Sequence, residues 1–173
     1  MTIPKAYVPT HPELFVVEFQ PGNFASRLVS LKSFEAKETI ARISRFTRTP
    51  HAAYHTVQCG SALGDNIELH SDLVYVNHSC EPNVAFDLSS KDTSQWHVRA
   101  LKQVKAGDPL TFFYPSTEWK MAQPFDCLCG SKTCLGRIEG AFILSAEELS
   151  SRGFVNPWIW TQLERKANKP RVE

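Results

Sequence analysis

The sequence has no long hydrophobic run, no excess of charge of either sign and no cysteine before Cys59. Its apolar stretches are short and broken by charged residues, whereas a membrane span needs about 20 consecutive apolar residues. The N-terminus, Met1-Thr2-Ile3-Pro4-Lys5, carries no apolar core and does not have the form of a secretory signal. An intracellular location, nucleus or cytoplasm, is therefore expected. Nineteen Lys and Arg residues stand against 18 Asp and Glu, for a formal net charge of +1, and no Lys/Arg-rich run stands out. Direct binding to nucleic acid or to a membrane is not expected from that balance. Internal repeats and low-complexity segments are also missing.

The chain does have 173 residues, 42% of them hydrophobic and 21% charged. That is enough for one domain with a real core and too little for two large ones. Short runs rich in β-formers follow one another: 15–19, 27–31, 39–43, 54–59, 67–70, 73–76, 83–88, 96–101 and 110–114. Each has about the length of a strand, and Gly, Pro, Ser or Asp punctuates most of the gaps. Lys105-Ala106-Gly107-Asp108 has the composition of a turn between two strands.

Helical signals gather at the C-terminal end. Ser145-Ala146-Glu147-Glu148 fits a capping box, and Asn156-Pro157 fits an N-cap followed by proline in the first turn. The expected fold class is mainly β, with a cysteine-rich loop and one or two C-terminal helices. Residues 1–12 are expected to form a flexible arm.

Five cysteines are present, an odd number. In a reducing compartment, clustered cysteines serve as metal ligands or reactive thiols before they form disulfides. Cys127, Cys129 and Cys134 form C-x-C-x4-C in a Gly/Ser/Lys-rich loop. Three such thiolates can wrap a zinc ion, which takes four ligands in a tetrahedron. The fourth must come from Cys80, Cys59 or a histidine. Cys59 stands alone at the end of an alternating run, where a small half-buried residue is the plainer reading.

Val76-Asn77-His78-Ser79-Cys80-Glu81-Pro82-Asn83 is the most distinctive stretch. With the later cysteines it resembles the N-H-S-C-x-P-N signature of SET-domain protein lysine methyltransferases. Further matches follow in the family's order over roughly residues 14–140. Val98–Leu101 leads through Val104–Asp108 to Leu110-Thr111-Phe112-Phe113-Tyr114, which is similar to the family's last strand pair and active-site tyrosine. Cys127, Cys129 and Cys134 resemble its post-SET zinc motif.

The resemblance implies a SET-type β-clip fold of short strands with a pseudoknot-like core. Residues 13–118 would be the SET domain, 119–140 the post-SET segment and 141–173 a helical extension. It implies S-adenosylmethionine as cofactor, contacted by Asn77 and His78, with Ser26, Arg27, Phe125 and Leu128 as further candidates. It implies Cys80 as the fourth ligand of a structural zinc and Tyr114 as the catalytic tyrosine. The partner it implies is a protein or peptide bearing a lysine, such as a histone tail.

The chain departs from the family in four places. Ala25-Ser26-Arg27 stands where a Gly-x-Gly is usual, and Arg27 could pair there with the cofactor carboxylate. Phe113 replaces an acidic or amide residue, Val74 replaces an arginine, and no cysteine-rich segment precedes the domain. Two alternatives follow: a SET fold that has lost turnover and binds a partner, or one turned to a small-molecule substrate. Tyr54 and Tyr75 could line the substrate channel, although both lie in apolar runs, where ordinary packing is the better reading. Trp158 and Trp160 would pack the last helix onto the domain.

Overall fold

A computed structural model describes residues 7–22 and 25–168. The elements are short, as the spacing of turn residues demands. They are β1 (Phe15–Glu18), β2 (Arg27–Ser30), β3 (Thr39–Arg42), β4 (Phe46–Thr49), β5 (Thr56–Gln58), β6 (Asn66–Leu69), β7 (Asn77–His78), β8 (Val84–Asp87), β9 (His97–Ala100), β10 (Thr111–Phe112), β11 (Phe125–Asp126) and β12 (Arg137–Ile138). Two helices close the chain, α1 (Ala146–Ser150) and α2 (Pro157–Ala167). The fold is mainly β, as expected.

The strands form small sheets. β1 pairs with β2, β3 and β8 flank β9, and β4 and β5 flank β6, all antiparallel. β7 and β10 pair in parallel, with Asn77 opposite Thr111 and His78 opposite Phe112. One apolar core joins these sheets. Leu28, Ile67, Val84, Val98, Val104 and Leu110 are all fully buried within it, and burial of such side chains contributes roughly 1.5–3 kcal/mol each.

Three local expectations change. The run Leu73–Val76 is expected as a strand, but Asp72–Tyr75 forms a 3-10 turn. The cause lies outside the run: the Asp72 carboxylate is buried and accepts hydrogen bonds from Tyr7 Oη and from the backbone N–H groups of Thr10 and His11. The same bonds bear on the expected arm. Residues 1–6 lie outside the described residues, while Tyr7, Thr10 and His11 are tied down on Asp72. Asn156 does precede a proline-started helix, but its side chain does not cap it. It accepts from Leu88 N–H and donates to the Phe86 and Ser116 carbonyls, joining β8 to the turn after β10.

Other local signals hold. Ser145 and Glu148 complete the capping box of α1. Trp158 packs α2 onto the core and donates its indole N–H to the Thr117 carbonyl. Gly140 has φ 122°, and a Cβ there would stand 2.5 Å from the Trp119 carbonyl oxygen. Only glycine allows the chain to pass that backbone so closely.

Candidate active site

The parallel pairing of β7 with β10 is the center of the site. It is clamped by Asn83, whose side chain accepts from Thr111 N–H and donates to the Pro109 carbonyl. After β10 the chain turns through Phe113 into a 3-10 turn at Tyr114–Ser116. That turn sets the Tyr114 ring 5.2 Å from the His78 ring, with Phe112 4.7 Å away on its other side.

The Tyr114 hydroxyl donates to the Val76 carbonyl at 3.3 Å. Burial, reinforced by the nearby charge of Glu118, pushes this phenol up to about 12. It is thus a protonated donor at neutral pH. His78 Nδ1 accepts from Tyr114 N–H at 3.2 Å, which puts the ring proton on Nε2, facing Cys80 Sγ at 3.4 Å. Burial, with Arg152 adding to it, pushes His78 down to about 4, so the imidazole is neutral.

The other expected site residues arrive from three directions. Asn77 donates from Nδ2 to the Ser26 carbonyl at 2.8 Å, which ties the β1–β2 hairpin to β7. Arg27 is exposed and pairs across the hairpin with Glu18 at 2.7 Å. Phe125, on β11, lays its ring 5.6 Å from His78 and 6.0 Å from Tyr114. Leu128 is 95% exposed and touches none of this cluster. Tyr54 is likewise exposed, and Tyr75 packs edge-on against Tyr7 and Phe19.

Beside His78 the sulfurs of Cys80, Cys127, Cys129 and Cys134 all lie within 4.8 Å of one another, and Cys80 and Cys127 are 3.9 Å apart. A tetrahedral zinc with bonds of about 2.3 Å holds its sulfurs about 3.8 Å apart, so the four thiols fit that ion. Backbone N–H groups of Leu135 and Gly136 point at the sulfurs of Cys80 and Cys134, at 3.4 Å each. Cys59 lies elsewhere, beside Arg48 at 3.7 Å. The geometry therefore selects Cys80 as the fourth member.

The SET-domain profile matches residues 15–115. The methyltransferase flvH of Aspergillus flavus is 43% identical over 157 residues, covering 91% of this chain and 85% of that protein. The chain belongs to the SET-domain family. The histone-lysine N-methyltransferase mes-4 of Caenorhabditis elegans is 33% identical over 72 residues, covering 36% of this SET chain and 8% of that protein. In fold, the methyltransferase domain of human histone-lysine N-methyltransferase SETMAR superposes with a TM-score of 0.54 at 14% identity, over 73% of this chain and 58% of that one. These relatives are methyltransferases, and methyl transfer is the reaction class of the family.

Two residues of this SET domain carry no signal in the sequence. Glu118 sits one turn after Tyr114, where its carboxylate accepts from Gln58 N–H at 2.8 Å and from the Thr117 hydroxyl at 3.2 Å. Burial pushes this carboxyl up to about 7. Gln58 returns the bond by accepting from Trp119 N–H at 2.7 Å, so β5 is latched to the active-site turn. The second residue is Arg152, buried after α1. Its contacts are to residues far from it in sequence, so only the folded chain reveals them.

Proposed function

We propose that this SET domain transfers a methyl group from S-adenosylmethionine to the side-chain amine of a lysine in a protein. The observation that carries this reading is the Tyr114 hydroxyl held on the Val76 carbonyl beside a neutral His78. When bound, S-adenosylmethionine supplies an electrophilic methyl group on a sulfonium. Asn77 and His78 on β7 would hold it, with Ser26 brought alongside by its bond to Asn77 and Phe125 closing the side next to His78. Ala25 and Ser26 are half-buried and small, which suits a close approach of the hairpin backbone. Arg27 would have to leave Glu18 to reach a cofactor carboxylate, and Leu128 would have to fold inward from the cysteine loop.

The chain's own groups suit an in-line displacement. The Tyr114 hydroxyl, with its proton on the Val76 carbonyl, presents its oxygen beside that carbonyl oxygen, and the two can accept from an amine N–H and from a polarised methyl group. The attacking amine must be neutral, and apolar surroundings disfavour the ammonium. Phe112 beside Tyr114, and Phe86 edge-on against Phe112 at 4.3 Å, supply them.

A second reading is methylation of an amine on a small molecule. It draws on flvH, named only as a methyltransferase and matched over 85% of its length, whereas mes-4 is matched over 8% of its own. The test is transfer of labelled methyl from S-adenosylmethionine by zinc-loaded protein. The acceptors are histones, total cell protein and a pool of amine metabolites. Label on protein lysines supports the first reading, and label only on metabolites supports the second. Cofactor binding without any acceptor would leave a binding module and sink both.

A further inference from the structure

Arg152 is 8% exposed, yet its hydrogen bonds all end on neutral oxygens. It donates to the carbonyl of Cys80 at 2.7 Å, to the carbonyl and hydroxyl of Thr133 at 3.1 and 2.9 Å, and to the carbonyl of Glu148 at 3.3 Å. Its guanidinium lies 5.5 Å from the center of the Phe113 ring. That ring occupies the place where the family often carries an acid or amide. Among the described residues Arg152 makes no ion pair. Two exposed carboxylates lie near without pairing directly: Glu148, whose pKa the Ser145 bonds and, to a lesser degree, the Arg152 charge hold low, and Glu81, one step removed through the Thr133 hydroxyl at 3.1 Å.

A buried cation without a counter-charge is costly, so proteins pair it or neutralise it. An arginine cannot give up its proton. Glu148 is exposed to solvent and its carboxylate is engaged by the Ser145 N–H, so the buried guanidinium has no direct partner and calls for further negative charge at the site. Arg152 touches the backbone of one cysteine of the cluster and of the residue before another, Cys134. Four thiolates around a divalent ion carry a net charge of about −2, delivered at that point.

We propose that Arg152 is the counter-charge of the metal-loaded four-cysteine site, and that metal binding and the docking of α1 are thereby one event. This rests on the reading of the four cysteines as a metal site. The guanidinium joins four pieces of chain at once: the signature segment, the active-site strand end, the cysteine loop and α1. Losing the ion would leave the cation unbalanced and release the end of α1 from the loop.

The test uses the full chain and reads zinc affinity by chelator competition, with amide hydrogen exchange of residues 146–152 in zinc-loaded and stripped wild-type protein. R152M should weaken zinc binding about 10–100-fold, the range found when partners of metal ligands are removed. R152K keeps the charge and should recover most of that loss, and E81Q should bind zinc as wild type does. Stripping zinc from the wild type should speed exchange in α1, a result that does not depend on any variant folding. Wild-type zinc affinity in R152M would overturn the proposal, as would equal losses in R152M and R152K. So would α1 exchange that is indifferent to zinc in protein shown to bind it. Wild-type protein that binds no zinc would instead sink the metal reading itself, and this proposal with it.

Discussion

The β7–β10 crossing and the cysteine loop lie side by side, but different forces hold them. The crossing is sealed by apolar burial: Val76 is 2% exposed, Phe113 1% and Val84 0%. Asn83 adds two side-chain bonds to the backbone at the start of β10, at Pro109 and Thr111. The cysteine loop has little of this. Leu128 stands in solvent, and Gly130 and Gly136 make its turns at positive φ. Its order draws on its sulfurs, on the N–H groups aimed at them, on the β11–β12 pairing and on the Arg152 bonds to Thr133. Half of the site can thus form from the core, while the other half depends on a ligand, and Phe125 sits on the dependent half.

The sharpest break of that contrast is Cys129→Ser. Zinc should fall from about one per chain to near none by metal analysis, and cofactor binding should weaken, while the core keeps its fold. Full zinc retention would remove the metal assignment. On the other half, Tyr114→Phe should leave cofactor binding intact and lower the methyl-transfer rate by about 100-fold or more, or change the product distribution. Unchanged rate and products would take Tyr114 out of the mechanism.

Asn156→Ala probes what holds the crossing from behind. It strands Leu88 N–H and removes the side-chain donor from the Phe86 carbonyl, while the Ser116 carbonyl keeps the backbone N–H of residue 156, and should cost about 2 kcal/mol in urea unfolding. A loss under about 1 kcal/mol would show that water replaces those bonds.

The smallest effect expected is at Glu118. Its folded carboxyl titrates near 7, above the ordinary 4.5, so between those values the folded chain holds the proton more tightly than the unfolded one. Stability from this group is therefore present at low pH and lost as pH rises through about 7. Glu118→Gln should flatten that slope, gaining on wild type at pH 8 relative to pH 5. An equal difference at both pH values would remove Glu118 from the pH dependence.

Several features were legible because they are local. The capping box at Ser145 needs only residues three apart, and it forms as written. The cysteine spacing and the Asn77–Asn83 signature are local too, and the four sulfurs do converge. The Leu73–Val76 run shows the limit. Its β-forming residues are overruled by Asp72, whose partners Tyr7, Thr10 and His11 come from the far end of the chain. Asn156 shows it again: a good capping residue is diverted to backbone groups of two other elements. Arg27, a candidate for the cofactor, is engaged by Glu18 across a hairpin.

The sequence by itself determined the family, the short-strand β architecture and the identity of the tyrosine and cysteines, because each is written in residues close together or in fixed order. The tertiary structure brings Cys80, which the resemblance implies as the fourth ligand, beside the other three cysteines and leaves Cys59 elsewhere. It alone put the Tyr114 hydroxyl on the Val76 carbonyl and left Arg152 buried against the cysteine segments. Those are contacts between distant segments, and their energies depend on burial and on unpaired charge, quantities that a chain acquires only when it folds.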